Sequence, residues 1–168
     1  MNPFFTSAVV CNTGPLIGLA RVGMADLPSR LFPNVIIPDE VRDELLVNES
    51  PDRAEIEVIL KSVRMHPRQS KPDLLLQAEL DSGEASVISA AMNLGLPCVI
   101  LDERKARRIA SQIYGLQVKG SAGLLVEAKS RGMIDAVRPY LEGMIDGGYF
   151  LGPTLVEACL TAAGEVEQ

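Results

Sequence analysis

The stretch "AVVCNTGPLIGLARVG", residues 8–23, decides how the rest of the chain reads. Its apolar opening, Ala8 to Cys11, runs without alternation into Asn12-Thr13-Gly14-Pro15. Apolar residues then return at helical spacing as Leu16, Leu19 and Ala20. A short strand that is apolar at every position is covered on both faces, which suits a parallel sheet held between helices. Pro15 opens the helix, which ends near Gly23. In open parallel sheets, sites form beyond the carboxyl ends of the strands. Asn12 therefore stands where a site is expected, although an asparagine there can also simply bond the turn backbone.

The same pattern continues outward. "NVIIP" (34–38), "PCVIL" (97–101) and "LQVKG" (116–120) read as further short strands. Between them lie helices: "ADLPSRLF" as a short turn, a helix from Pro38 carrying Val41, Leu45 and Leu46, and "DRAEIEVILKSV" after Pro51. "DSGEASVISAAMNLG" closes on Gly95 and "ERKARRIASQIYG" on Gly115. Residues 64–73, polar with two prolines, read as a loop. "SAGLLVEAKSRG", "DAVRPYLEGMI" and "PTLVEACLTAAG" are further helices, with Pro139 in the first turns of the second. The pattern predicts an α/β fold, a three-layer sandwich with a short parallel sheet flanked by helices. No repeat or linker divides the chain, so 1–168 is one domain, with 135–168 a C-terminal helical extension.

Composition narrows the function. The chain has 168 residues, 47% of them hydrophobic, enough for a core without staples. Aromatics are 4% with no Trp, which argues against a stacking platform for single-stranded nucleic acid. A net charge of −6 excludes nucleic-acid binding through bulk charge and leaves a local basic patch or a metal ion. Cys11, Cys98 and Cys159 lie in apolar runs without a C-x-x-C pair, as buried reduced thiols do. The single histidine, His66, reads as a surface residue and gives no material for a zinc site or a Ser-His-Asp triad. No signal peptide is visible, and no apolar run reaches the ~18 residues that span a bilayer. A soluble, cytoplasmic protein without membrane contact is expected.

Three acids stand out by position. Asp102 ends the "CVIL" strand, Glu44 falls on the apolar stripe of its helix, and Glu84 follows Gly83 at a helix start. Each has a plain use: Asp102 as an N-cap, Glu84 in a capping box with Asp81, Glu44 at a solvated stripe edge. Together with Asn12 they favour a shared acidic pocket. Oxygen donors without His or Cys suit Mg²⁺ or Mn²⁺. Arg104, Arg107 and Arg108 share a helical face beside Asp102, as a phosphate-binding strip or a solvated face. No phosphate-cradling G-x-x-x-x-G-K-[ST] or G-x-G-x-x-G occurs.

In order, "NTGPLIGLA" (12–20), "PDEVRDEL" (38–45), "LDSGEASVI" (80–88) and "ILDERKARRIA" (100–110) make the chain resemble the PIN-domain family. "KGSAGLLVEAKSRGMI" (119–134) fits the branch with a long helical C-terminal part. That resemblance implies a metal-dependent ribonuclease, often the toxin of a toxin–antitoxin pair. Its acidic cluster would be Asn12, Glu44, Glu84 and Asp102, with Thr13 as the hydroxyl beside the first acid. It further implies single-stranded RNA as substrate, an antitoxin protein as partner, and a homodimer. The first acid of the family pattern is an aspartate, replaced here by Asn12. The amide keeps a ligating oxygen and loses a charge, which weakens a divalent site. A weak natural enzyme, a deliberate inactivating change and compensation by Glu103 or another acid all fit that substitution. The alternative function is a catalytically inactive interaction module, with the Leu155/Cys159 stripe as its surface or as plain core.

Overall fold

A computed structural model describes residues 3–47, 49, 51–71 and 73–166. The extreme ends of the 1–168 unit, and Pro72 within the expected loop, lie outside the described residues. After a 3₁₀ turn (Pro3–Thr6) come β1 (Val9–Cys11), α1 (Thr13–Ala20), α2 (Leu27–Leu31), β2 (Val35–Pro38), α3 (Asp39–Val47) and α4 (Arg53–Leu60). There follow β3 (Arg64–His66), α5 (Leu74–Glu79), α6 (Ser82–Leu94), β4 (Cys98–Ile100), α7 (Arg104–Gln112) and β5 (Gln117–Lys119). The chain closes with α8 (Ser121–Ser130), α9 (Arg138–Asp146) and α10 (Pro153–Ala162).

The strands form one sheet, all parallel, in the order β3-β2-β1-β4-β5. Neighbouring side chains on a strand point to opposite faces. Val9, Val10 and Cys11 are nevertheless all buried, as are β2 and β4, so helices cover the sheet on both sides. α6 packs across β1, β2 and β4, and α3 packs on both α6 and β2. The expected sandwich is therefore present.

Two boundaries differ from the sequence reading. α1 starts at Thr13, so Pro15 sits in its first turn rather than opening it. The loop expected over 64–73 contains an edge strand, β3, paired in parallel to β2 through Ile36↔Arg64, Ile37↔Met65 and Pro38↔His66. It has no apolar run because an edge strand needs none. Arg64 is exposed, and His66 is half-buried rather than fully at the surface. Pro38 ends β2, where its missing N–H costs no ladder bond.

The C-terminal helices share one hydrophobic core with the sheet through Ile134, Val137, Leu141, Met144, Leu151, Cys159 and Leu160. Pro139 lies in the first turn of α9, as expected. α10 packs on α8, burying Cys159 while Leu155 stays exposed. A Glu165 clamp fastens the end of this region. Its carboxylate accepts from Lys129 Nζ (2.8 Å), Val137 N (2.6 Å) and Arg138 N (2.9 Å). Burial pulls the Glu165 carboxyl up, but those donors outweigh it and hold it down at about 2. No helix among the described residues is long and apolar enough to cross a membrane.

Candidate functional site

The chain turns from one half of the sheet to the other between β1 and β4, the topological switch point of a 3-2-1-4-5 order. The carboxyl ends of these two strands carry Asn12 and Asp102. Asn12 N donates to Ile100 O at 3.1 Å, so the two ends stay in register to the point where the residues leave the sheet. A cleft of about 1130 Å³ opens there. Asn12, Thr13, Glu44, Glu84, Asp102, Arg104, Arg107 and Arg108 all line it. The residues expected from sequence to act together are thus brought to one cleft. Its volume is at or beyond the upper end of small-ligand pockets, roughly 1,000 Å³.

Asn12 occupies the N-cap position of α1 but caps nothing. One reason is visible in the sequence. The third helical position, which usually donates to an N-cap side chain, is Pro15 and has no N–H. Asn12 Oδ1 is left buried without a hydrogen-bond partner. The turn-bonding use of this amide is therefore not realised.

Glu44 reaches the cleft from α3, where Thr13 Oγ1 donates to its Oε2 at 2.8 Å. It lies against the start of α6, over Gly83. A Cβ at Gly83 would stand 2.5 Å from Glu44 Oε1, so only glycine leaves the carboxylate its place. Glu84, the next residue, does belong to a capping box. Asp81 N donates to its Oε2 at 3.2 Å, and Glu84 N donates to Asp81 Oδ1 at 2.8 Å. That use does not remove it from the cleft, which it also lines while 8% exposed. Burial, then the charges of Asp81, Glu103 and Glu44, push its carboxyl up despite the Asp81 N–H.

Asp102 does not cap α7. Glu103 does, accepting from Ala106 N at 2.8 Å. This frees Asp102 to accept from Ser121 N at 2.7 Å, from Ser121 Oγ at 2.6 Å, and from the Tyr149 hydroxyl. The approach to Ser121 needs Gly120, where a Cβ would lie 2.6 Å from Asp102 Oδ1. Of the three arginines, Arg107 turns inward and donates from Nη1 to Leu101 O at 2.8 Å. It braces the strand end, while Arg104 and Arg108 remain exposed along the cleft.

Ser121 and Tyr149 were not singled out from sequence. Ser121 is fully buried, beyond β5. Tyr149 comes from the connection between α9 and α10 and packs where Gly14 and Gly18 leave room for its ring and hydroxyl. Burial and then the Asp102 charge push its hydroxyl far up, so it stays a neutral donor. The same causes keep the adjacent Cys11 a thiol. A Gly-Gly-Tyr-Phe run between two helices, in a chain with 3 Tyr and 4 Phe, was the available signal.

A family model described as a PIN domain matches residues 8–165. The chain belongs to the PIN-domain family. No curated protein matches it. The fold of this PIN domain is accordingly nuclease-like, and PIN domains are generally dependent on a divalent metal.

Whether this PIN domain's residues fit such an ion can be judged from its donors. Asn12 Oδ1 is an orphaned buried oxygen beside carboxylates, and the candidate donors are all oxygen. Among the described residues no lysine or arginine forms an ion pair with Glu44, Glu84 or Asp102. Uncompensated negative charge with an unpartnered amide oxygen suits a hard cation. Convergence is incomplete: among the described residues no three Asp, Glu, His or Cys side chains stand close enough to share one ion. The position nearest the strand end, which would supply a further acid, is Asn12. In chemistry, though not in spacing among the described residues, the donor set suits a divalent cation, with one charge fewer than an aspartate would give.

Proposed function

We propose that this PIN domain is a ribonuclease that hydrolyses phosphodiester bonds in single-stranded RNA, dependent on Mg²⁺ or Mn²⁺ and weakened by Asn12. The observation that carries the reading is Asn12 Oδ1, buried and unpartnered at the switch point of the sheet, in a cleft shared with Glu44, Glu84 and Asp102. Asn12, Glu44, Glu84 and Asp102 would hold the cation. Such an ion, when bound, lowers the pKa of water and neutralises charge on the phosphoryl oxygens. Thr13 fixes one oxygen of Glu44. Ser121 and Tyr149 fix Asp102, so its carboxylate enters the reaction already oriented. Arg104 and Arg108 contact the flanking phosphates, and Arg107 acts behind them by holding the end of β4. Burial and the neighbouring carboxylates raise the Glu84 carboxyl above its ordinary value.

The toxin of a toxin–antitoxin pair is the biological role that this chemistry fits, with an antitoxin as protein partner and a homodimer as assembly. A second reading has its own observation in its favour. The lack of three converging acids among the described residues, with an amide at the strand end, also suits an inactive interaction module.

One experiment separates them. Mn²⁺ is titrated by calorimetry into the parent and into Asn12→Asp, and each is assayed on single-stranded RNA, with Asp102→Ala as control. Restoring the charge should tighten Mn²⁺ binding at least tenfold, about 1.4 kcal/mol, and raise cleavage. Asp102→Ala should abolish both. If parent and Asn12→Asp are inert across metals and RNAs, the nuclease reading fails and the module reading stands.

A further inference from the structure

The segment that carries Tyr149 also places Phe150 in the cleft. Phe150 is 86% exposed, more than any other large hydrophobic residue described. The other phenylalanines, Phe4, Phe5 and Phe32, pack on one another in the core. Phe150 is therefore the one phenylalanine withheld from folding. Nor is it loose. On one side Tyr149 is tied to Asp102, and Tyr149 N donates to Met144 O at 2.9 Å. On the other side Leu151 is buried, and Gly152 begins α10. With both neighbours anchored, the ring is held out in the cleft that Arg104 and Arg108 line from α7.

An exposed aromatic face and a pair of guanidinium groups in one cleft match a chain that alternates phosphates with flat bases. Base stacking on such a ring tolerates any base, because each has a π-face. An apolar protein segment is the poorer match, since covering this wall would strand the Arg104 and Arg108 charges without partners. The aromatic-poor composition rules out a platform of many rings but leaves room for one. Resting on the ribonuclease reading, we infer that Phe150 stacks an unpaired base of single-stranded RNA and so positions the neighbouring phosphodiester over Asp102.

The absence of tryptophan makes the test direct. Binding of a fluorescein-labelled single-stranded RNA of about ten nucleotides is followed by anisotropy, in EDTA and again in Ca²⁺, with Phe150→Ala, Phe150→Leu and Phe150→Trp. The site size matches what one stacking groove covers, ~4–16 nucleotides. Because the side chain is exposed, each variant should melt with the parent. Phe150→Ala and Phe150→Leu should weaken binding roughly 5- to 150-fold, the loss of one stack. Phe150→Trp should bind as well as the parent, and unlabelled RNA should quench its single indole. The duplex of the same sequence should not quench it.

Parental affinity in Phe150→Ala, full affinity in Phe150→Leu, or an unquenched indole at saturating RNA each overturn the stacking inference while leaving the nuclease reading intact. Quenching by the duplex equal to that by the single strand overturns the unpaired-base assignment. A parent that binds no RNA in either condition defeats the ribonuclease reading, and this inference with it.

Discussion

Replacing Gly83 by alanine separates the position of one carboxylate from the stability of the fold. Gly83 is the second residue of α6 and has a negative φ, so alanine meets no backbone strain. Helix propensity favours the change by up to ~1 kcal/mol. The new methyl would lie 2.5 Å from Glu44 Oε1, 2.8 Å from Oε2 and 2.9 Å from Cδ. The flexible end of Glu44 yields before the helix does. To move from 2.5 Å to an ordinary 3.4 Å contact it retreats by ~0.9 Å, which breaks its bond from Thr13 Oγ1. That loss costs about 1 kcal/mol and roughly offsets the propensity gain. For a domain of this size ~1 kcal/mol is about 2–4 °C, so the melting temperature should stay within ~4 °C of the parent. Metal-ligand distances tolerate only about ±0.2 Å, so a shift of this size should weaken Mn²⁺ binding at least tenfold, ~1.4 kcal/mol. Thermal melts with and without Mn²⁺, beside calorimetry in the parent and Asn12→Asp backgrounds, read both quantities. Unchanged Mn²⁺ affinity would show that Glu44 does not hold the ion. A collapse in stability would refute the claim that Glu44, rather than the helix, gives way.

Two further outcomes follow from the hydrogen bonds around the C-terminal region. Glu165 titrates at about 2 when folded against an ordinary 4.5, so its stabilisation is complete above ~4.5 and is lost as pH falls toward 2. Glu165→Gln should therefore lower the melting temperature at pH 7 by about 2–8 °C, on a loss of ~1–2 kcal/mol, and the gap should narrow below pH ~4.5. A gap that is constant across pH would contradict the clamp. Tyr149→Phe keeps the ring on Gly14 and Gly18 but removes a donor from Asp102. In EDTA it should melt about 4–8 °C below the parent, for the ~2 kcal/mol of a charge-assisted bond, and an unchanged melt would deny that bond any structural weight.

The strands buried on both faces were legible because burial on both faces leaves an unbroken apolar run, as in "AVVC" and "PCVIL". β3 was not, since Arg64-Met65-His66 lies at an edge and carries no such mark. Asp102 and Glu84 show the same limit from another side. Spacing offers capping for both, and only the fold shows that Glu103 takes the cap of α7 while Glu84 caps and lines the cleft together. Asn12 was legible as a strand-end residue. That its amide would be orphaned depends on burial, which sequence does not record. Tyr149 reaches Asp102 from 47 residues away, and no local pattern encodes a contact of that range.

The tie between Tyr149 and Asp102 also sets an order in time. Chains emerge from synthesis N-terminus first, at about 5–20 residues per second. The carboxylates of the cleft are all made by residue 103, and the sheet by residue 119. The hydroxyl that orients Asp102 arrives only with residue 149, in the connection that leads from α9 into α10. The cleft is completed last. A nascent chain that already carries every acid of the cleft still lacks the piece that sets Asp102 in place, so the geometry described here belongs to a chain made at least as far as Tyr149.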